Sequence, residues 1–136
     1  MLLLDSDMLI DVALDRPPYA DASRAVLGQV AEGAEQACIA WHSFSNIDYI
    51  VTRELDRAIA RAFIEGLLEF AQVAATTTDD LYYALSLPLP DFEDAMQVAA
   101  ARACDARYIV TRNVRDYVDS PVPTLTPADA IAELSR

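Results

Sequence analysis

Along the chain, short apolar runs alternate with longer stretches whose apolar residues recur at helical intervals. LLLDS opens the pattern as a short strand, three leucines broken by Asp5. In DASRAVLGQVAEG, the spacing of Ala22, Ala25, Val26 and Val30 predicts a helix that Gly33 ends. ACIA, residues 37–40, predicts a buried strand; Phe44, Ile47, Ile50 and Val51 then share one face of the segment from Ser43 to Thr52. DRAIARAFIEGLLEF spaces Ile59, Phe63, Leu67 and Phe70 as a helix does, and QVAATT predicts a third strand. TDDLYYAL predicts a helix with Thr78 as its N-cap, closed by Pro88 and Pro90. The alanine-rich stretch from Asp91 to Cys104 predicts another helix, and ARYIVT a buried strand. TPADAIAEL predicts a last helix, with Thr126 as N-cap and Pro127 at its first position.

Strands separated by helices, and lacking polar alternation, imply an α/β fold with a central parallel sheet flanked by α-helices. The chain has 136 residues and shows no repeat, linker or low-complexity tract, so one domain over 1–136 is expected. No apolar run approaches the ~18 residues that a bilayer span needs. The first residues lack the basic segment of a signal peptide. Cys38 and Cys104 lie in apolar surroundings and read as small core residues rather than as a disulfide pair. A cytoplasmic location with no membrane partner is therefore expected.

Charge narrows the chemistry. There are 22 acids against 10 bases, net −12, and all ten bases are arginine. Such a surface repels nucleic acid and anionic membranes at long range, although a local cation can reverse that at a site. The three glycines form no phosphate loop and there is no lysine, which excludes Walker-type ATPases. His42 is the only histidine, so histidine-rich zinc chemistry is excluded too; a surface or structural role suits it better.

Sites in parallel α/β sheets form at the carboxyl ends of strands, and three acid-bearing segments fall there. Asp5 ends the first strand, Asp91 and Asp94 open the helix of LPDFEDAMQ, and Asn113 and Asp116 follow the YIV strand. Hard oxygen donors without a His or Cys cluster favour Mg2+ or Mn2+, which can activate water and offset charge on a phosphodiester. Asp91 suits capping better than coordination. Asp94, one turn before Val98, faces the buried side, where an unpaired carboxylate is costly. Asp7 and Asp11 read as solvated or first-turn acids.

LLLDSDMLIDV, LPDFEDAMQVAAA and YIVTRNVRDYVDSPVPTLTP together resemble the successive motifs of PIN domains, closest to small bacterial VapC-type toxins. The resemblance covers essentially the whole chain and implies a PIN-like three-layer fold. It implies a Mg2+- or Mn2+-dependent ribonuclease in which Asp5, Asp94 and Asp116 are the catalytic and metal-holding acids. Thr111 would orient the last loop, beside Asn113, and Arg112 would meet RNA phosphate. An antitoxin that covers the site and a homodimer are the partners it implies, the latter through the apolar helices around Phe63 and Tyr82. One departure stands out: the family usually carries a glutamate in the helix after the second strand, and here Asn46 occupies that place. Asp48 lies two residues on, about 200° round a helix. The loss of that charge leaves a second reading open, a PIN-fold binding module with weak or no nuclease activity. Phosphatases with paired aspartates and response-regulator receivers share the acidic start, but both patterns need a lysine.

Overall fold

The computed structural model describes all residues 1–136. Five parallel strands form one sheet in the order β3-β2-β1-β4-β5: β1 (Leu2–Leu4), β2 (Ala37–Ile39), β3 (Ala71–Val73), β4 (Tyr108–Val110) and β5 (Thr124–Leu125). Seven helices connect and cover them: α1 (Ser6–Ala13), α2 (Ala20–Ala31), α3 (Trp41–Glu54), α4 (Arg57–Leu68), α5 (Thr78–Ser86), α6 (Phe92–Ala103) and α7 (Pro127–Leu134). The α/β expectation holds, and so does its three-layer arrangement.

Strand alternation sorts the core into two layers. Leu2, Leu4, Ile39 and Val110 pack with Met8, Leu9, Val26, Ile47 and Val51 on one side of the sheet. Leu3, Cys38 and Ile109 pack with Val98, Ala101 and Tyr117 on the other. With both faces covered, every side chain of β1 is buried, which explains the unbroken leucine run. Each such leucine removed from water contributes about 2 kcal/mol.

β1 is central. The chain leaves it towards β2 and β3 and later returns to its other side as β4, so the strand order reverses between β1 and β4. A crevice at the carboxyl ends of strands is expected at such a reversal. Asp5 N–H donates to the Val110 carbonyl at 3.0 Å, and Thr111 N–H to the Leu125 carbonyl at 3.0 Å, which holds the ends of β1, β4 and β5 side by side.

Several expectations need correction. Cys38 and Cys104 are joined as a disulfide, because the last turn of α6 folds back over β2. Sequence separation of 66 residues conceals that neighbourhood. Thr77, not Thr78, caps α5: it forms a reciprocal capping box with Asp80, whose carboxylate accepts Thr77 N–H at 2.8 Å. α3 begins at Trp41 rather than Ser43, so His42 lies in its first turn. Asp11 is not solvated: it is 0% exposed, its carboxylate paired with Arg112 Nε at 3.1 Å and Arg16 at 3.5 Å. The short β5 was not anticipated, because two half-buried residues give no periodic signal.

Candidate active site

The crevice is built from the ends of β1 and β4 and from the first turns of α1, α3 and α6. Asp5 occupies the N-cap position of α1, yet its side chain caps nothing and is 4% exposed. Its Oδ2 accepts a hydrogen bond from the Tyr117 hydroxyl at 2.7 Å. Burial, helped by the charge of Asp7, pushes the Asp5 carboxyl up to about 8, while the Tyr117 bond pulls it down. Tyr117 ends the 3-10 turn Val114–Tyr117, and burial together with the Asp5 charge keeps its phenol protonated.

Asp94 faces the same crevice from α6. Asp91 caps that helix, its carboxylate accepting Asp94 N–H at 3.1 Å, as expected for a cap. The Asp94 side chain is half-buried, and burial raises it to about 6, with Asp91, Glu93 and Asp116 adding repulsion. The Tyr117 hydroxyl lowers Asp94 as well as Asp5, while its one proton is donated to Asp5. Asp116 is exposed on the 3-10 turn and is close enough to act on Asp94 through its charge.

Asp7 organises the loop after β4. It accepts hydrogen bonds from Thr111 Oγ1 at 3.1 Å, Arg112 N–H at 3.3 Å and Asn113 Nδ2 at 3.0 Å. Thr111 Oγ1 in turn accepts Asn113 N–H at 3.1 Å. Burial raises Asp7, and these donors oppose the rise. Thr111 and Asn113 thus serve the loop, and Asn113 spends its amide on Asp7. Arg112 is turned the other way, paired with Asp11 and stacked 4.3 Å from the centre of the Tyr19 ring. That engagement uses Nε alone, and the guanidinium stays partly exposed.

The third wall joins α3 to α6. His42 Nε2 lies 2.8 Å from Glu93 Oε2, Gln97 Nε2 donates to the same oxygen at 3.0 Å, and it also donates to Ser43 Oγ at 2.8 Å. Asn46, one turn beyond His42 and half-buried, takes no part in this network. Sequence reading passed over Glu93 and Tyr117, and gave His42 a surface or structural role. The available signal for Glu93 and Gln97 was their spacing of four on one helix beside Asp94.

A hard divalent cation suits this donor set. The ligands are oxygens, neighbouring acids raise the proton affinity of Asp5 and of Asp94, and no arginine is paired with either. As they stand, no three His, Cys, Asp or Glu side chains converge closely enough to ring one ion. In chemistry and charge the residues fit such an ion; the ring is not closed.

Residues 1–115 match the PIN domain family. The chain belongs to that family. Solved structures agree on the PIN fold at low identity. VapBC2 from Rickettsia felis, bound to a DNA fragment from its promoter, is 14% identical, with a TM-score of 0.73 over 92% of this chain and 97% of that one. A toxin–antitoxin complex from Klebsiella pneumoniae is 18% identical, with a TM-score of 0.71 over 93% and 98%. VapC20 from Mycobacterium tuberculosis, a toxin that cleaves the sarcin-ricin loop, is 14% identical, with a TM-score of 0.65 over 80% and 87%. No curated protein matches the sequence. No helix is long and apolar enough to cross a membrane.

Proposed function

We propose that this PIN domain is a Mg2+- or Mn2+-dependent endoribonuclease and the toxin of a toxin–antitoxin pair, acting in the cytoplasm. The observation that carries the reading is that buried Asp5 and half-buried Asp94 face one crevice, with no arginine paired to either, at the point where the strand order reverses. An acid pair of this kind is costly in a structural role, since no arginine offsets it. Toxin–antitoxin neighbours of the same fold support an antitoxin as partner. Exposed Tyr82 and Leu85 on α5 offer an apolar surface for a homodimer.

Asp5, Asp94 and Asp116 would hold the ion, which supplies Lewis-acid stabilisation of the charge that builds on a phosphodiester. The chain's own groups do the rest. Tyr117 fixes Asp5 through its 2.7 Å hydrogen bond, so the carboxylate presents one oriented edge. Asp94, half-buried and facing the crevice, is placed to accept a proton from an attacking water and return it to the leaving oxygen. Asp7 fixes the loop Thr111–Asn113 by accepting a hydrogen bond from each of its three residues. In the cytoplasm, thiols are held reduced, and Cys38 and Cys104 would then be a packed dithiol.

The test is cleavage of a diverse single-stranded RNA pool by purified protein with Mg2+, Mn2+ or EDTA. Slow cleavage that depends on the ion and is lost in D94N supports the reading. The competing reading, a PIN-fold binding module, is favoured by Asn46 and by the unclosed ring. Intact RNA in the presence of bound metal would establish it instead.

A further inference from the structure

We infer that Glu93 is a further carboxylate of this crevice, and that His42 and Gln97 are positioning residues that hold it there. The inference rests on the metal-nuclease reading above and extends it to residues of α3 and α6. A glutamate in the first turn of a helix ordinarily serves the helix dipole and moves freely in water. Glu93 does not. Its Oε2 is held by two side chains at once, His42 Nε2 from α3 at 2.8 Å and Gln97 Nε2 from α6 at 3.0 Å. A carboxylate only accepts, so His42 carries its hydrogen on Nε2 in this pairing.

The clamp is anchored in the core. Gln97 is 0% exposed and has both its N–H donors committed, one to Glu93 and one to fully buried Ser43. Its Oε1 is buried with no partner, an orphaned acceptor beside the crevice wall. A helix dipole needs neither a buried glutamine nor a cross-helix histidine. Glu93 lies close enough to Asp5, Asp94 and Tyr117 for its negative charge to disfavour ionisation of all three. The three groups that feel it are those that define the crevice. With Oε2 clamped, Oε1 is the edge left for a ligand. Asn46, on the adjoining turn of α3, lies outside the clamp, so the fourth charge comes from α6 rather than from α3.

The experiment is Mn2+ binding to the full chain by calorimetry, paired with paramagnetic broadening of the single histidine in NMR spectra. Wild type should bind Mn2+, and substoichiometric ion should broaden the His42 ring signals. E93Q, which keeps the shape and loses the charge, should weaken binding by about tenfold or more. N46A should weaken it less than E93Q. H42A should weaken it by a few-fold, and H42Q, which restores an N–H donor, should recover most of that loss. Melting in EDTA and circular dichroism show that each variant is folded. E93Q binding Mn2+ as wild type does, or sharp His42 signals in Mn2+-loaded protein, would overturn the proposal while leaving the metal reading in place. A wild type that binds no Mn2+ would overturn both.

Discussion

Asp5→Asn should stabilise the metal-free protein, and by more as pH rises. In the folded chain the Asp5 carboxyl titrates at about 8, some four units above its ordinary value of 3.8, chiefly because it is buried. Each unit corresponds to about 1.4 kcal/mol between the folded and unfolded states. The raised value favours folding only while the proton is present in both states, below pH 4. Between pH 4 and pH 8 the unfolded chain ionises while the folded chain keeps its proton, and stability is lost steadily. At pH 7 the accumulated cost reaches about 4 kcal/mol. Asparagine keeps an acceptor for the Tyr117 hydroxyl and never ionises, so it escapes this cost. Urea unfolding in EDTA at pH 4, 6 and 8 measures it, followed by far-ultraviolet circular dichroism because Trp41 is already 74% exposed. The expected advantage of D5N is near zero at pH 4 and roughly 2–4 kcal/mol at pH 7. A difference that stays flat with pH, or a D5N protein less stable throughout, would refute the reasoning and show Asp5 ionised in the fold.

Other outcomes follow from the same geometry. Millimolar Mn2+ or Mg2+ should raise the melting temperature of wild type, and D5N or D94N should abolish the rise; equal shifts in all three would place the ion elsewhere. Arg112→Ala removes the closer partner of the buried Asp11 carboxylate and should cost about 2–4 kcal/mol, reduced from the fully buried case because Arg16 remains. If Arg112 instead serves RNA phosphate alone, that variant will lose cleavage with stability intact. Thr77→Ala should cost about 1 kcal/mol in chemical denaturation through the lost capping box, whereas Thr78→Ala should cost a few tenths.

Six of the helices, all but α1, and four of the strands were legible because their signals are local. Helical spacing, the caps at Asp91 and Thr126, and unbroken apolar strands each depend on residues within one or two turns of one another. Asp5 and Asp94 were legible for a related reason: an acid at the end of a buried run, or on the inward face of a helix, is conspicuous in sequence. What escaped was the company each side chain keeps. Asp7 looked like a first-turn acid, yet it binds three residues more than a hundred positions away. Arg112 gives no sign in sequence of its pairing with Asp11 or its stacking on Tyr19.

Periodicity and residue chemistry were enough to establish a parallel α/β sheet, an acidic edge and the absence of lysine, since burial along one element repeats with that element's own geometry. Pairing across elements obeys no such period. The strand order 3-2-1-4-5 alone brings β4 beside β1, and with it Tyr117 onto Asp5, the tail of α6 onto Cys38, and Glu93 into reach of His42. Packing of distant segments, not local propensity, sets which acids face one another, and hence how tightly each holds its proton.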